Sequence, residues 1–301
     1  MSRRGAAEGP DGLVVVDKPA GFTSHDVVAV VRGIAHTRRV GHAGTLDPMA
    51  TGVLLLGLGR ATRLLGHLAL REKEYEATIR LGQSTVTDDA EGETTEAPGA
   101  TGLDEAAVAE EVAALTGALM QVPAKVSAVK VDGKRSYQRM REGEDVTLPP
   151  RPVTVHAFET GPPRELTASD GTPVTDLTAR VVCSSGTYVR ALARDLGAAL
   201  GCGGHLTALR RTRVGPYELT DARTLDQLRA ELAVLPLAEA AAAAFPRWDV
   251  DQRQATLLGN GARIATPELP PGPVAVFDPD GRFLALVETD GERSRSLAVF
   301  V

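Results

Sequence analysis

Cysteine is scarce: Cys183 and Cys202 are the only two in 301 residues, and neither stands in a Cys-x-x-Cys pair. A disulfide framework or a structural zinc site is therefore not expected, and His205, three residues after Cys202, does not complete a set of ligands. Aromatic residues are also few, with one Trp, four Tyr and six Phe, so a tyrosine that falls in a motif carries information. No apolar run approaches the roughly 18 residues a membrane-crossing helix needs. The N-terminal dozen is polar and glycine-rich behind Arg3 and Arg4, unlike a secretory signal, and the expected location is the cytoplasm, with no membrane contact. Excess positive charge is missing too: the net charge of −6 argues against indiscriminate nucleic-acid binding.

What is present describes a globular chain, 43% hydrophobic and 24% charged, long enough for one large domain or a large and a small one. The charge is unevenly distributed. Residues 84–111 carry nine acidic and no basic side chains, whereas residues 121–141 carry six basic and one acidic. A basic face can thus exist on an acidic protein.

Hydrophobic period and turn residues outline the elements. Residues 13–16 form a strand-like run broken by Asp17-Lys18-Pro19-Ala20-Gly21. Thr23 and Ser24 are suited to capping a helix whose apolar positions are Val27, Val28, Val31 and Ile34. Strands are expected near 76–81, 153–158 and 177–183, and helices near 104–115 and 188–200; the acidic stretch after 81 reads as a solvated loop. Residues 225–245, rich in Ala and Leu, read as helical up to Pro246. Beyond it, runs at 274–277, 283–288 and 296–301, separated by tight turns, describe a small β module. The expected organisation is a tail at 1–11, a catalytic domain at 12–245 and a small domain at 246–301.

The densest signal is Gly41-His42-Ala43-Gly44-Thr45-Leu46-Asp47-Pro48-Met49-Ala50-Thr51-Gly52, followed by an apolar strand and Gly59-Arg60-Ala61-Thr62-Arg63. Three glycines and a proline around one aspartate describe a tight loop that would expose Asp47, and glycine lets a substrate approach the backbone. A phosphate-binding P-loop does not fit, because no lysine follows the glycines in the required frame. An aspartyl-phosphate enzyme fits poorly as well, since Asp47 has no carboxylate within ten residues to help hold magnesium.

Over more than twenty contiguous positions this block resembles the signature of the TruB family of tRNA pseudouridine-55 synthases. Further blocks match in order: Asp17-Lys18-Pro19 with Gly21-x-Thr23-Ser24; Lys73-x-Tyr75 with Leu81-Gly82-x-x-Thr85-x-Thr87-x-Asp89-x-x-Gly92; Ser184-Ser185-Gly186-Thr187-Tyr188-Val189-Arg190; and Gly201-Cys202-Gly203-Gly204-His205-Leu206 with Leu209-Arg210-Arg211.

The resemblance implies an α+β pseudouridine synthase fold, a central mixed, largely antiparallel sheet with a small C-terminal β domain of the PUA type at 246–301. It implies isomerisation of one uridine in the T arm of tRNA after base flipping, with no cofactor, no metal and no guide RNA, by a protein expected to be a monomer. Asp47 becomes the catalytic carboxylate, either attacking C1′ or abstracting a sugar proton, and Arg190 its ion-pair partner. Tyr75 stacks on the flipped base, Tyr188 and Leu209 wall the pocket, and His42 contacts the RNA beside it. Candidates for the RNA backbone are Arg60, Arg63, Arg210 and Arg211, with Lys130 inside an RNA-gripping insertion at about 121–151. Two competing readings are a non-catalytic tRNA-binding or folding chaperone and a related synthase acting on another RNA.

Overall fold

The computed structural model describes residues 9–124, 130–131, 134–135 and 148–301. Its principal elements are β1 (Gly12–Lys18), α1 (Ser24–Ile34), β2 (Val40–Ala43), β3 (Thr51–Leu58), β4 (Lys73–Leu81), α2 (Glu105–Ala114), β5 (Gly117–Gln121), β6 (Arg151–Thr160), β7 (Pro173–Cys183), α3 (Val189–Ala199), β8 (Gly204–Val214), α4 (Leu225–Ala230), β9 (Leu235–Pro236), α5 (Leu237–Ala244), β10 (Arg247–Asp249), β11 (Val274–Phe277), β12 (Phe283–Thr289) and β13 (Ser294–Val299). They divide into two compact units. The first comprises Met1–Asp47, Gly52–Leu70 and Val214–Val301, and the second Pro48–Thr51 and Arg71–Arg213.

In the first unit β1 and β3 pair antiparallel from Gly12↔Leu58 to Lys18↔Gly52, with β9 on β1 and β2 on β3. Almost every residue of β1 and β3 is buried, as their unbroken apolar runs require of strands covered on both faces. Lys18 is fully buried at the end of β1. Its ammonium donates to the carbonyls of Pro19 and Phe22, so the turn that ends the strand closes around a charge. Thr23 then caps α1 in a reciprocal capping box with Asp26. Ser24, which the sequence offered as a second capping residue, is the first residue of the helix and points elsewhere.

The C-terminal module is a four-stranded sheet in the order β10-β11-β12-β13. Three of these strands follow the turn signals in the sequence. The fourth, β10, pairs parallel to β11 and carries Trp248. Alternation along β11 feeds two cores: Val274 and Val276 pack with Trp248, Val250 and Leu258, whereas Ala275 and Phe277 join Leu13, Val53, Leu55, Leu64 and Phe245. The second core also takes Phe283 and Phe300, whose rings lie 4.6 Å apart. Each such phenylalanine contributes about 1.5–3 kcal/mol by burial. The region expected to be continuously helical at 225–245 is instead two short helices, α4 and α5, separated by β9. Pro236, which lacks an N–H, sits at the N-cap of α5 and starts the second helix afresh.

In the second unit the strand order is β8-β4-β7-β6-β5. β4 and β7 pair antiparallel over nine positions, from Lys73↔Cys183 to Leu81↔Thr175. Arg80 and the opposite Asp176 form a two-pronged ion pair at 2.8 and 2.9 Å, which fixes that register. Helix α3 turns an apolar stripe of Val189, Leu192, Ala193 and Leu196 inward. Gly197 allows close approach: a Cβ there would lie 2.2 Å from the backbone of Gly203. The acidic stretch departs from expectation, because Asp88 and Asp89 are buried rather than solvated.

Candidate functional site

Asp47 follows β2 on an irregular loop and is half-buried, not openly exposed as the sequence suggested. The loop is anchored because Ala43, Leu46 and Ala50 are all buried around it. Gly44 takes a left-handed conformation at φ 80°, which only glycine adopts without strain. From α1, the Ser24 hydroxyl accepts the Leu46 N–H at 2.9 Å and donates to the Leu46 carbonyl at 3.1 Å. His42 lies on β2, and its ring meets that of His25 edge-on at 5.4 Å. The chain passes into the second unit at Pro48, where the Thr51 hydroxyl accepts from Arg210 Nη1 at 3.2 Å.

Within the second unit Tyr75 is buried on β4, on the same strand face as Lys73. Tyr188 is the N-cap of α3, and both its backbone groups are held by one side chain: Gln121 donates to its carbonyl at 3.1 Å and accepts its N–H at 2.8 Å. Arg190, on the first turn of α3, is 5% exposed and forms an ion pair with Asp89 at 3.2 Å. It also donates to the Thr87 carbonyl at 2.8 Å. One turn on, Arg194 pairs with Asp88 at 3.2 Å and donates to the Val122 carbonyl. Burial pushes the Asp88 carboxyl up, against the pull of Arg194 and Arg190. The site residues missed in the sequence are therefore Asp89, Gln121 and Ser24. Asp89 and Ser24 stand in recognisable motif positions, but nothing local marks Gln121.

The alternation of β8 sorts its residues. Leu209 and Arg211 are buried, and Arg210 between them is half-buried. Arg211 is 1% exposed, which corrects its assignment to the RNA backbone, since a guanidinium so enclosed is not offered to a phosphate at the surface. Arg60 binds Asp11 and the Phe300 carbonyl, and Arg63 the Val299 carbonyl, so within the first unit both tie residues 299 and 300 to the segment that follows β3. Lys130 falls in a two-residue strand paired with Lys134–Arg135; most of the basic stretch at 125–141 lies outside the described residues, as does most of the 1–11 tail.

Lys73 lies directly across from Cys183 and beside Arg211. Burial, reinforced by the Arg211 charge, lowers its pKa to about 8, and burial lifts the Cys183 thiol to about 11. His205 is buried, with Nδ1 3.0 Å from the Gln83 carbonyl, and burial lowers its pKa. Among the described residues no cluster of His, Cys, Asp or Glu is placed to hold a metal ion, and no helix is long and apolar enough to cross a membrane.

Known proteins resemble the chain along nearly its whole length. The N-terminal domain model of the TruB family pseudouridylate synthases matches residues 32–189, a C-terminal domain model for tRNA pseudouridylate synthase B matches 190–241, and one for tRNA pseudouridine synthase II matches 245–301. A protein of Streptomyces griseus subsp. griseus called tRNA pseudouridine synthase B is 69% identical over 97% of each chain. Its namesake in Thermobifida fusca is 62% identical over 96% of this chain and 98% of its own. Among solved structures, a crystal structure of a Cbf5-Nop10-Gar1 complex matches with a TM-score of 0.71 and 26% identity, covering 96% of this chain and 85% of that one. Ordered motifs, an Asp47 loop anchored on both sides and relatives matched end to end lead to one assignment: the chain belongs to the TruB family of pseudouridine synthases.

Proposed function

We propose that this enzyme converts the uridine at position 55, in the T arm of tRNA, to pseudouridine, with Asp47 as the catalytic carboxylate. The reaction is an isomerisation: the C1′–N1 bond breaks, a C1′–C5 bond forms, N1 gains a proton and C5 loses one. Nothing is oxidised or consumed, and one carboxylate beside the sugar can carry the step as nucleophile or base. The observation that bears most on Asp47 is its anchoring, by Ser24 at Leu46 on one side and by Arg210 at Thr51 on the other. A carboxylate that must act in one orientation gains from a backbone that cannot drift. The names of the relatives favour the synthase over a non-catalytic binder.

Other assignments follow from the family motifs. Arg190 is the ion-pair partner of Asp47, and its own fixing by Asp89 and the Thr87 carbonyl keeps the guanidinium pre-oriented. Tyr75 stacks on the flipped uracil, Tyr188 and Leu209 line its pocket, and His42 contacts the RNA beside it. Arg210 and Lys130 contact phosphates, and Arg60 and Arg63 do so only with the donors that their structural bonds leave over. Recognition needs no guide RNA, and the working form is a monomer.

The test is conversion of an unmodified tRNA transcript by purified protein, with position 55 mapped. Wild type is expected to modify that uridine alone, and Asp47→Asn to lose at least about a thousandfold in rate while still binding tRNA. Wild-type turnover in Asp47→Asn, or modification of some other RNA in place of the T arm, would sink the assignment.

A further inference from the structure

We propose that Ser24 is a positioning residue for the reaction, holding the backbone from which the Asp47 carboxylate projects in place through that of Leu46. The inference rests on Asp47 being the catalytic group. Twenty-two residues separate Ser24 from Leu46, yet one hydroxyl engages both polar groups of that residue, accepting its N–H at 2.9 Å and donating to its carbonyl at 3.1 Å. A serine hydroxyl has one donor and two acceptor sites, so it can hold both at once. These two groups belong to different peptide planes. The Leu46 N–H lies in the plane shared with Thr45, and the Leu46 carbonyl in the plane that contains the nitrogen of Asp47. Because each peptide unit is rigid and planar, fixing the second plane fixes the nitrogen and Cα of Asp47. The direction of the carboxylate then depends on the φ of Asp47 and its side-chain torsions.

The anchor itself is buried. Ser24 is 1% exposed and Leu46 4% exposed, so water does not compete readily for either bond. Thr23, the preceding residue, is locked by the capping box with Asp26, and Val27, Val28 and Val31 bury the same face of α1. The hydroxyl is therefore presented from a packed helix to a loop in which Asp47 lies outside helix and strand. Leu46 also drives its own side chain into the core, which supplies a second constraint on the same residue. Together these features couple the packed helix α1 to the loop that carries Asp47.

A purely structural role for Ser24 would show in stability and leave turnover by the folded protein unchanged. Positioning predicts a loss in the chemical step at saturating tRNA. The experiment compares Ser24→Ala and Ser24→Cys with wild type in the full chain, reading single-turnover rate at saturating tRNA transcript, tRNA affinity and thermal midpoint. Cysteine keeps the packing and replaces the hydroxyl by a weakly bonding thiol, so it remains informative if the alanine variant does not fold. Misplacement of a catalytic group by about 1 Å is expected to slow the step by up to about 100-fold. The expected result is thus a single-turnover rate about 10- to 100-fold lower in both variants, with tRNA affinity within about twofold of wild type.

Wild-type single-turnover rate in folded Ser24→Cys overturns the proposal. So does a loss confined to tRNA affinity that saturating RNA fully restores. Asp47→Asn is measured in the same series: if it retains wild-type rate, the reading of Asp47 has failed, whereas an inactive Asp47→Asn beside a fully active Ser24→Cys defeats the positioning role alone.

Discussion

Lys73 and the Arg190–Asp89 pair place charge where water is scarce. The pKa of Lys73 falls from 10.5 unfolded to about 8 folded, with burial the main cause. A cation whose folded pKa is depressed burdens the folded state while it is charged. Between about pH 8 and 10.5 the unfolded chain holds a proton that the folded chain has released, so this residue's contribution makes stability rise with pH across that window. The effect is on the order of 3 kcal/mol. Lys73→Met should remove that contribution, and the difference in urea midpoint between variant and wild type, followed from pH 7.5 to 10.5, checks it. Matching pH profiles for the two proteins would refute it.

Asp89 and Arg190 obey the opposite logic, because each offsets the other's desolvation. Asp89→Asn removes one anionic partner from the buried Arg190 and is expected to destabilise the second unit by about 1–3 kcal/mol. Denaturant unfolding measures this. At this scale the sequence was partly legible: Asp47, Tyr75, Tyr188 and Arg190 stand in motifs that could be matched residue by residue. The burial of Asp88 and Asp89 was not legible, since it depends on Arg194 and Arg190, which lie about a hundred residues later. An acidic run looks the same whether water or arginine faces it.

Elements in this protein are tied together by single side chains that complete another segment's backbone. Gln121, the last residue of β5, bonds both the N–H and the carbonyl of Tyr188 and so fixes where α3 begins. Arg194, from the same helix, holds the Val122 carbonyl. Gln121 and Val122 are thus joined at two points to the helix that carries Arg190. Gln121→Met keeps the volume and removes both bonds, leaving two backbone groups to find other partners. A loss of about 1–3 kcal/mol is expected, with faster amide exchange at Tyr188 and the first turn of α3. Unchanged exchange there would show that the N-terminus of α3 is held by packing alone.

Strand and helix positions were readable from period and turn residues, as with β4, β7, β11 and α3. The single helix expected at 225–245 is two, α4 and α5, because Pro236 between them has no N–H to continue a helix and caps the second one instead. β10 could not be read locally either: three residues paired in parallel to partners 28 positions later leave no local turn signal.

Across the whole molecule, the C-terminal module is part of the first unit's core rather than an appendage. Phe277, Phe283 and Phe300 share one cluster with Leu13, Val53 and Leu55, and Arg60 and Arg63 bond the carbonyls of Phe300 and Val299. Phe300→Ala should therefore destabilise β1 and β3 along with the C-terminal sheet, by about 3–5 kcal/mol. Hydrogen exchange tests the coupling, and a loss of protection limited to β11–β13 would show that the module unfolds by itself.

The sequence by itself determined the family, the Asp47 loop and most of the strands and helices, because those reside in contiguous residues and in periods of two and 3.6. Only the tertiary structure decided which charges are buried and which side chains brace the site. Asp89, Gln121 and Ser24 acquire their significance from partners 101, 67 and 22 positions away, brought close by packing that no local pattern encodes.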